Sequence, residues 1–244
     1  MKPGVSLARR LTAEAVGTSL LLAAVVGSGI MGERLSGGNV AVALLANTLA
    51  TGAILVSLIL TFGPVSGAHF NPAVTLADAS QGGLKWREVP GYVLAQIVGA
   101  FAGVAAADVM FELPVFFVSR KVRAGGAQLF SEFVATFGLL AVIWGCVRLR
   151  QKAVVPFAVA AYITAAYWFT SSTSFANPAV TLARSASDTF AGIRPADVPG
   201  FVAAQLLGAA AATLLFRWLI PSLPERAEEV VVPHGATGGE RHDE

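Results

Sequence analysis

Six long apolar stretches limit what this chain can fold into. They run over residues 11–30, 40–62, 90–110, 128–147, 153–171 and 198–219, and a helix needs about 20 apolar residues to cross a bilayer. Of the 244 residues, 55% are hydrophobic and only 13% are charged, which is too little charge to cover a soluble globule. The pattern predicts an all-α membrane protein with six transmembrane helices.

Composition also argues against several function classes. The formal net charge is +2, with no long basic run, so the chain has no nucleic-acid interface. Cys146 is the only cysteine and lies in an apolar stretch, which excludes disulfides and thiolate metal sites. The first apolar stretch follows basic residues, as a signal peptide does, but it is long and further spans follow it. We interpret it as the first transmembrane helix.

The distribution of Lys and Arg predicts the orientation. With residues 1–10 in the cytoplasm, most short basic loops fall on the cytoplasmic side, as the positive-inside rule requires. Arg120, Lys121 and Arg123 oppose this orientation, because they lie in the predicted external loop 111–127. Residues 221–244 are rich in Glu, Gly and Pro and are predicted to form a disordered cytoplasmic tail.

The second half of the chain repeats the first. FNPAVTLADAS returns as ANPAVTLARSAS, and VPGYVLAQIVGA returns as VPGFVAAQLLGA. Residues 11–110 and 128–220 are therefore two units of three helices, and the odd number of spans inverts the second unit in the membrane. Each NPAVTLA segment is too short to cross. The repeat predicts two re-entrant half-helices, from Asn71 and Asn177, that face each other.

The chemistry of the two segments indicates a pore. Asn favours the N-cap and Pro the first helical position; one such tripeptide is usually an ordinary helix start, but two matched copies are not. The copies comprise Asn71, Pro72, Ala73, Asn177, Pro178 and Ala179. Two half-helix N-termini, each with about half a positive charge, would repel cations, and both Asn amides can donate to a passing oxygen. The pattern predicts a channel for small uncharged solutes.

Three further polar residues have predicted structural roles. Glu14 and Glu132 occupy matching places in the two halves, and intramembrane acids suggest function by default. Their symmetry favours hydrogen bonding to the re-entrant loops over a proton relay. His69 is expected to brace its loop or line the cytoplasmic mouth, because no second ligand lies at metal spacing. No metal or cofactor is predicted.

These motifs resemble the major intrinsic protein family, the aquaporins and aquaglyceroporins, over residues 11–219. The resemblance rests on the duplicated Asn-Pro-Ala segment, on SGAHFNPAVT, on the matched Glu14 and Glu132, and on the helices that carry Gln96 and Gln205. It implies six transmembrane helices plus two half-helices in a lipid bilayer, and a homotetramer with one pore in each protomer. For a bacterial member it implies the inner membrane.

The chain departs from the family pattern at the predicted selectivity filter. Most members carry Arg directly after the second Asn-Pro-Ala, where this chain has Val180. The resemblance places the four constriction positions at Thr51, Ala165, Ser174 and Val180. None of them is aromatic or charged, so the pore is expected to be wider and less polar than that of a water channel or a glycerol facilitator.

Arg184 follows Val180 by one helical turn and has two interpretations. It could restore a positive charge near the outer mouth, or it could pair with a loop carboxylate such as Asp188 or snorkel to the interface. The second interpretation is favoured.

An Arg-less filter is similar to that of the bacterial aquaglyceroporins encoded beside arsenic-resistance genes. The expected solutes are therefore arsenous acid or small methylated arsenicals, glycerol and water. One alternative is a general glycerol and water facilitator with no arsenic role. Another is a secondary active transporter, although that would need a coupling carboxylate, usually in only one half. An enzyme is not expected, because the spans show no nucleophile–base pair.

Overall fold

The computed structural model describes residues 5–149 and 153–220. Within these ranges the chain forms eight α-helices and two short 3₁₀ turns, Trp86–Glu88 and Pro195–Asp197. The helices are α1 (Leu7–Leu35), α2 (Val40–Ser66), α3 (Pro72–Ser80), α4 (Val89–Met110), α5 (Gly126–Leu149), α6 (Val155–Phe169), α7 (Pro178–Arg184) and α8 (Val198–Leu219). The predicted tail at 221–244 lies outside the described residues.

The helices fall into long spans and short half-helices. Among the described residues, α1, α2, α4, α5 and α8 are each long and apolar enough to cross a bilayer. α6 has 15 residues and a length of about 22 Å, so it is shorter than the fifth span predicted at 153–171. α3 has nine residues and α7 has seven.

Several helix boundaries differ from the sequence prediction. α1 begins at Leu7, because Ser6 caps it by accepting a hydrogen bond from the Arg9 N–H, and it continues to Leu35. α5 begins at Gly126, so the loop after α4 ends two residues earlier than predicted.

Helix packing follows the inverted repeat. α1 packs on α2 and α4, and the equivalent helix α5 packs on α6 and α8. α2 packs on its own counterpart α6, and α3 contacts its counterpart α7. Exchanging the two repeats leaves this pattern unchanged, as a pseudo-two-fold axis requires.

Two equivalent glycines allow close contact between helices. A Cβ atom on Gly99 of α4 would lie 2.2 Å from the Ala15 carbonyl oxygen of α1, and one on Gly208 of α8 would lie 2.4 Å from that of Phe133 on α5. Both distances are shorter than van der Waals contact, so neither position can accept a larger residue without movement. α4 and α8, which pack on α1 and α5, both contact the two half-helices.

The outside of the bundle is apolar. Large hydrophobic side chains such as Leu49, Leu94, Leu207 and Leu214 are exposed, and the largest buried cluster includes residues of both half-helices. An apolar exterior around a core that contains polar loop backbone is what a bilayer requires of a spanning bundle.

Candidate functional site

Two helix starts meet in the middle of the bundle. α3 and α7 begin directly after Asn71 and Asn177, whose backbones are extended, with φ of −155° and −157°. The Asn71 Oδ1 atom accepts a hydrogen bond from the Ala73 N–H at 2.9 Å, and the Asn177 Oδ1 atom accepts one from the Ala179 N–H at 3.0 Å. Each asparagine therefore caps its own half-helix.

Each asparagine also binds the other repeat. The Asn71 Nδ2 atom donates to the Ala176 carbonyl at 2.8 Å, and the Asn177 Nδ2 atom donates to the Phe70 carbonyl at 2.7 Å. A primary amide has two N–H groups, and the second N–H of each asparagine has no acceptor among the described residues. Both side chains line the central cavity, where these groups can donate to a solute.

The backbone approaching each asparagine is left-handed at equivalent positions. Ala68 and Phe70 have φ of 50° and 48°, and Ser174 and Ala176 both have φ of 49°. A left-handed conformation costs a non-glycine residue about 1–2 kcal/mol. Four such residues persist only where the surroundings hold them firmly.

Glu14 holds the first re-entrant loop. Its Oε1 atom accepts hydrogen bonds from the Ser66 hydroxyl at 2.7 Å and the His69 N–H at 3.0 Å. Its Oε2 atom accepts from the Phe70 N–H at 2.7 Å and from Gln96 Nε2 at 2.8 Å. The carboxyl group is fully buried, and it accepts hydrogen bonds from two loop N–H groups that have no acceptor within a helix.

Glu132 holds the second loop in the same way. Its Oε1 atom accepts from the Phe175 N–H and its Oε2 atom from the Ala176 N–H, both at 2.9 Å. Gln205 Nε2 donates to Oε2 at 2.5 Å and to the Thr181 hydroxyl of α7 at 2.7 Å. This arrangement favours loop bracing over a proton relay for both glutamates.

His69 joins its loop to α3 and lines the cavity. Its Nδ1 atom lies 3.1 Å from the Thr75 hydroxyl, and its Nε2 atom lies 3.6 Å from a carboxylate oxygen of Asp78. In the part of the chain that the structure describes, no group of three or more His, Cys, Asp and Glu side chains is placed to hold a metal ion. His69 therefore contacts α3 from the loop and forms part of the cavity wall, as a loop-bracing role would require.

A cavity of about 380 Å³ runs past both asparagines. Its wall is mainly apolar, with a few polar side chains in between, which suits a small solute that needs few hydrogen bonds. The polar side chains are Thr51, His69, Asn71, Tyr167, Ser174, Asn177 and Arg184.

Three of the four predicted constriction residues line this cavity: Thr51, Ser174 and Val180. The Ser174 hydroxyl is buried and has no hydrogen-bond partner among the described residues, so it is available to a solute. The Thr51 hydroxyl lies 3.2 Å from the Tyr167 hydroxyl. Thr51 and Tyr167 thus join α2 to α6 across one side of the cavity.

The prediction for Ala165 is wrong. α6 faces the cavity with Val159, Ile163 and Tyr167, which are spaced by four residues and so share one helix face. Ala165 is exposed and is not part of the cavity wall, because two residues correspond to a rotation of about 200° around a helix. Tyr167, two residues further on, lines the cavity instead, so the wall has an aromatic residue that the four predicted positions did not include.

Arg184 lines the same cavity beyond Val180. Its side chain is 2% exposed, and its Nε atom donates to the Ala191 carbonyl. The guanidinium carbon lies 3.4 Å from the ring centroid of Phe175, within the range of a cation–π contact. The cavity wall therefore contains a positive charge, which comes from outside the four predicted filter positions.

The favoured interpretation of Arg184 is also wrong. Asp188 pairs with Arg120 instead, at 2.9 Å, and burial prevents Arg184 from snorkelling. The geometry agrees with the other interpretation, in which Arg184 places a charge at the end of the cavity toward which α7 runs.

The basic residues between α4 and α5 have structural partners. The Lys121 Nζ atom donates to the Phe190 carbonyl at 2.6 Å. Arg123 donates from Nε to the Gly192 carbonyl at 2.8 Å and from Nη1 to the Ser172 carbonyl at 2.9 Å. Burial lowers the pKa of Lys121 to about 8 and that of Arg123 to about 10. These contacts give the basic residues a structural role in the loop, which accounts for their presence on the side that the topology prediction places outside.

Comparison with known proteins identifies the class of molecule. The model of the MIP, or major intrinsic protein, family matches residues 4–170. The chain belongs to the major intrinsic protein family. Among its relatives, aquaglyceroporin AqpS of Rhizobium meliloti (strain 1021) is 59% identical over 219 residues, covering 89% of this chain and 93% of that protein.

Two further similarities agree with this assignment. A probable glycerol uptake facilitator protein of Thermotoga maritima is 34% identical over 149 residues, covering 54% of this chain and 62% of that protein. The X-ray structure of the aquaglyceroporin from Plasmodium falciparum has a TM-score of 0.71 and 20% identity, covering 89% of this chain and 99% of that one. This similarity shows the fold.

Membership of the major intrinsic protein family confirms the main predictions from sequence. The fold class is six transmembrane helices with two half-helices, as the similarity to a solved aquaglyceroporin shows. The protein is a multi-pass membrane channel for small solutes and not an enzyme. The cavity along Asn71 and Asn177 is the candidate solute pathway of this channel.

Proposed function

We propose that this channel passively conducts small uncharged solutes with several hydroxyl groups, namely glycerol and arsenous acid or small methylated arsenicals, together with water. The observation that carries the proposal is the lining of the cavity by Val180, where most family members have Arg. Valine has no charge and no donor, so a neutral solute meets no cation at this position.

Neutral solutes are selected by groups on both sides of Val180. Ser174 offers a hydroxyl without a protein partner, and each Asn offers one N–H beside a helix N-terminus. Those N-termini carry a partial positive charge that opposes cations, and two oriented donors interrupt proton transfer along a file of water. Tyr167 adds a bulky side chain with a hydroxyl group to the cavity wall, which the four predicted residues did not include.

Arsenous acid is included for its chemistry. It is a neutral trihydroxyl compound at pH 7 and is shaped much like glycerol, so a pathway suited to glycerol also suits it. The similarity to an aquaglyceroporin over most of the chain supports the glycerol half of the proposal. The arsenical half rests on the resemblance of the Val180 filter to that of the bacterial subgroup.

We also propose a homotetramer in the bacterial inner membrane, with both termini in the cytoplasm. The bias of Lys and Arg toward the predicted cytoplasmic loops supports the orientation, and the family resemblance supports the tetramer. In this orientation α7 runs from the centre of the cavity toward the external mouth.

Flux measurements on purified full-length protein in liposomes test the proposed solutes. Stopped-flow light scattering would compare water, glycerol, urea and arsenite with protein-free liposomes. We expect glycerol and arsenite to enter faster than in the controls. Glycerol flux with arsenite entry at the control rate would refute the arsenical proposal and leave a general glycerol and water facilitator.

A secondary active transporter is the alternative from another class. The carboxylates of Glu14 and Glu132 each accept hydrogen bonds from their own loop and occupy matching places in the two halves, whereas a coupling carboxylate is usually present in only one half. Uptake against a gradient that collapses on addition of an uncoupler would favour the transporter.

A further inference from the structure

The α7 end of the cavity holds a cation at a position different from the usual filter arginine. Arg184 is buried in the cavity wall. Of its five N–H donors, only the Nε–H has an acceptor among the described residues, the Ala191 carbonyl. The four N–H groups on Nη1 and Nη2 therefore remain for a solute or water in the cavity.

No carboxylate neutralises this charge directly. Among the described residues, Arg184 forms no ion pair within 4.0 Å, and the nearby acid Asp188 is held by Arg120. A charge that no carboxylate pairs directly, in a weakly polar wall, acts on an approaching ion far more strongly than one in bulk water. Arg184 therefore leaves the α7 end of the cavity positive.

Phe175 and the segment between α4 and α5 fix the position of Arg184. The Phe175 ring lies under the guanidinium and packs edge-on against Phe201, with centroids 5.3 Å apart. The guanidinium carbon of Arg123 lies 4.8 Å from the same Phe175 centroid.

Arg123 joins the two sides of the second re-entrant loop. It binds the carbonyl of Ser172, before the half-helix, and that of Gly192, after it. Its own backbone N–H donates to Asp197 Oδ2 at 2.9 Å. Arg123 is 8% exposed and is not part of the cavity wall, so its effect on a solute must act through the loop.

We infer that Arg184 is a selectivity residue that supplies the cation-excluding charge and the first hydrogen-bond donors at the external mouth, and that Arg123 is its positioning residue. The inference rests on the proposed orientation and on the proposed conduction of neutral solutes. The filter is then divided into two levels. A hydroxylated solute binds the free N–H groups of Arg184, passes the uncharged level of Tyr167 and Val180, and reaches Ser174 and the two asparagines. A cation is repelled at the first level.

Charge and size at position 184 are separated by three variants of the full-length protein in liposomes. Arg184→Gln removes the charge but keeps a donor for the Ala191 carbonyl, Arg184→Met removes the charge and the donor, and Arg184→Lys keeps the charge. Glycerol entry is measured by light scattering. Leak of protons and of methylammonium is measured with a pH-sensitive dye trapped inside the vesicles at low ionic strength.

We expect Arg184→Gln and Arg184→Met to increase the cation leak on the order of tenfold, because one unscreened charge is lost, whereas Arg184→Lys stays near the wild type. Glycerol entry above the rate of protein-free vesicles shows that each variant is folded. A neutral variant that conducts glycerol without extra leak would overturn the inference. A leak in Arg184→Lys as large as in Arg184→Gln would also overturn it, because shape would then matter more than charge.

Arg123 has its own pair of variants. Arg123→Gln should raise the cation leak severalfold while glycerol still enters, and Arg123→Lys should reduce that leak again because its ammonium group can donate to the Ser172 and Gly192 carbonyls. Equal leak in wild type and Arg123→Gln would refute the positioning role. Absence of glycerol entry in the wild type would count against the proposed function, whereas an unchanged leak in the neutral variants counts against Arg184 alone.

Discussion

Replacing Glu132 with Gln tests how the second re-entrant loop is held. The carboxylate accepts from the Phe175 N–H, the Ala176 N–H and Gln205 Nε2. A glutamine keeps one acceptor oxygen, so its best orientation retains Ala176 and Gln205 and turns its own amide nitrogen toward the Phe175 N–H. Two buried donors then lack an acceptor, each at a cost of about 1–3 kcal/mol. We expect the free energy of unfolding to fall by about 3 kcal/mol.

Thermal unfolding in detergent and water flux in liposomes measure this effect. For a chain of this size, 1 kcal/mol corresponds to about 2–4 °C in Tm, so Glu132→Gln should lower Tm by about 6–12 °C. Water flux should also fall, because the loosened loop carries the Ala176 carbonyl that binds Asn71. Glu33 is exposed near the end of α1, and Glu33→Gln is the matched control, with a change of no more than about 0.5 kcal/mol. If the Tm of Glu132→Gln lies within about 2 °C of the wild type and water flux is normal, Glu132 does not brace the loop.

Three further predictions concern the cavity wall and the loop between α4 and α5. Val180→Arg should slow glycerol and arsenite entry about tenfold, equivalent to about 1.4 kcal/mol, and should slow water entry less. Val180→Met should slow glycerol and arsenite less than Val180→Arg does, because it adds bulk without charge. Equal slowing of all solutes would mean that Val180 does not line the constriction. Ile163→Trp should abolish most glycerol flux because Ile163 faces the cavity, whereas Ala165→Trp should leave it intact; the reverse result would restore the original filter assignment. Burial lowers the pKa of Lys121 in the folded protein to about 8, so the unfolded chain binds more protons between about pH 8 and its ordinary pKa of about 10.4, and stability should rise with pH across that window. After allowance for solvent screening, the gain in the free energy of unfolding is about 1 kcal/mol. It should be absent in Lys121→Met when Tm is measured from roughly pH 7.5 to 9.5, a range around the folded pKa.

Much of the pore centre could be predicted from sequence because its determinants are local or duplicated. An Asn followed by Pro both caps and starts a helix, wherever it occurs. The matching positions of Glu14 and Glu132 indicated that both serve the same kind of loop. In the structure the two asparagine segments lie together at the centre of the bundle, as the repeat predicted.

The errors arose where the function of a residue depends on helix rotation or on distant contacts. Ala165 and Tyr167 differ by only two positions, and only the packing of α6 on α2 determines which of them faces the cavity. A tyrosine inside an apolar helix was a usable signal, because its buried hydroxyl needs a partner, here Thr51. Arg123 contacts carbonyls about 50 to 70 residues away in sequence, and no local pattern marks such a contact.

The crossed hydrogen bonds of Asn71 and Asn177 have a consequence for how the channel is made. Each asparagine needs a carbonyl that belongs to the other half of the chain, and the two residues are 106 positions apart (177 − 71). During synthesis the first half enters the membrane well before its partner carbonyl exists. The conducting centre is therefore completed late, when the second re-entrant loop meets the first, and an incomplete chain has no finished pore through which the cell could leak.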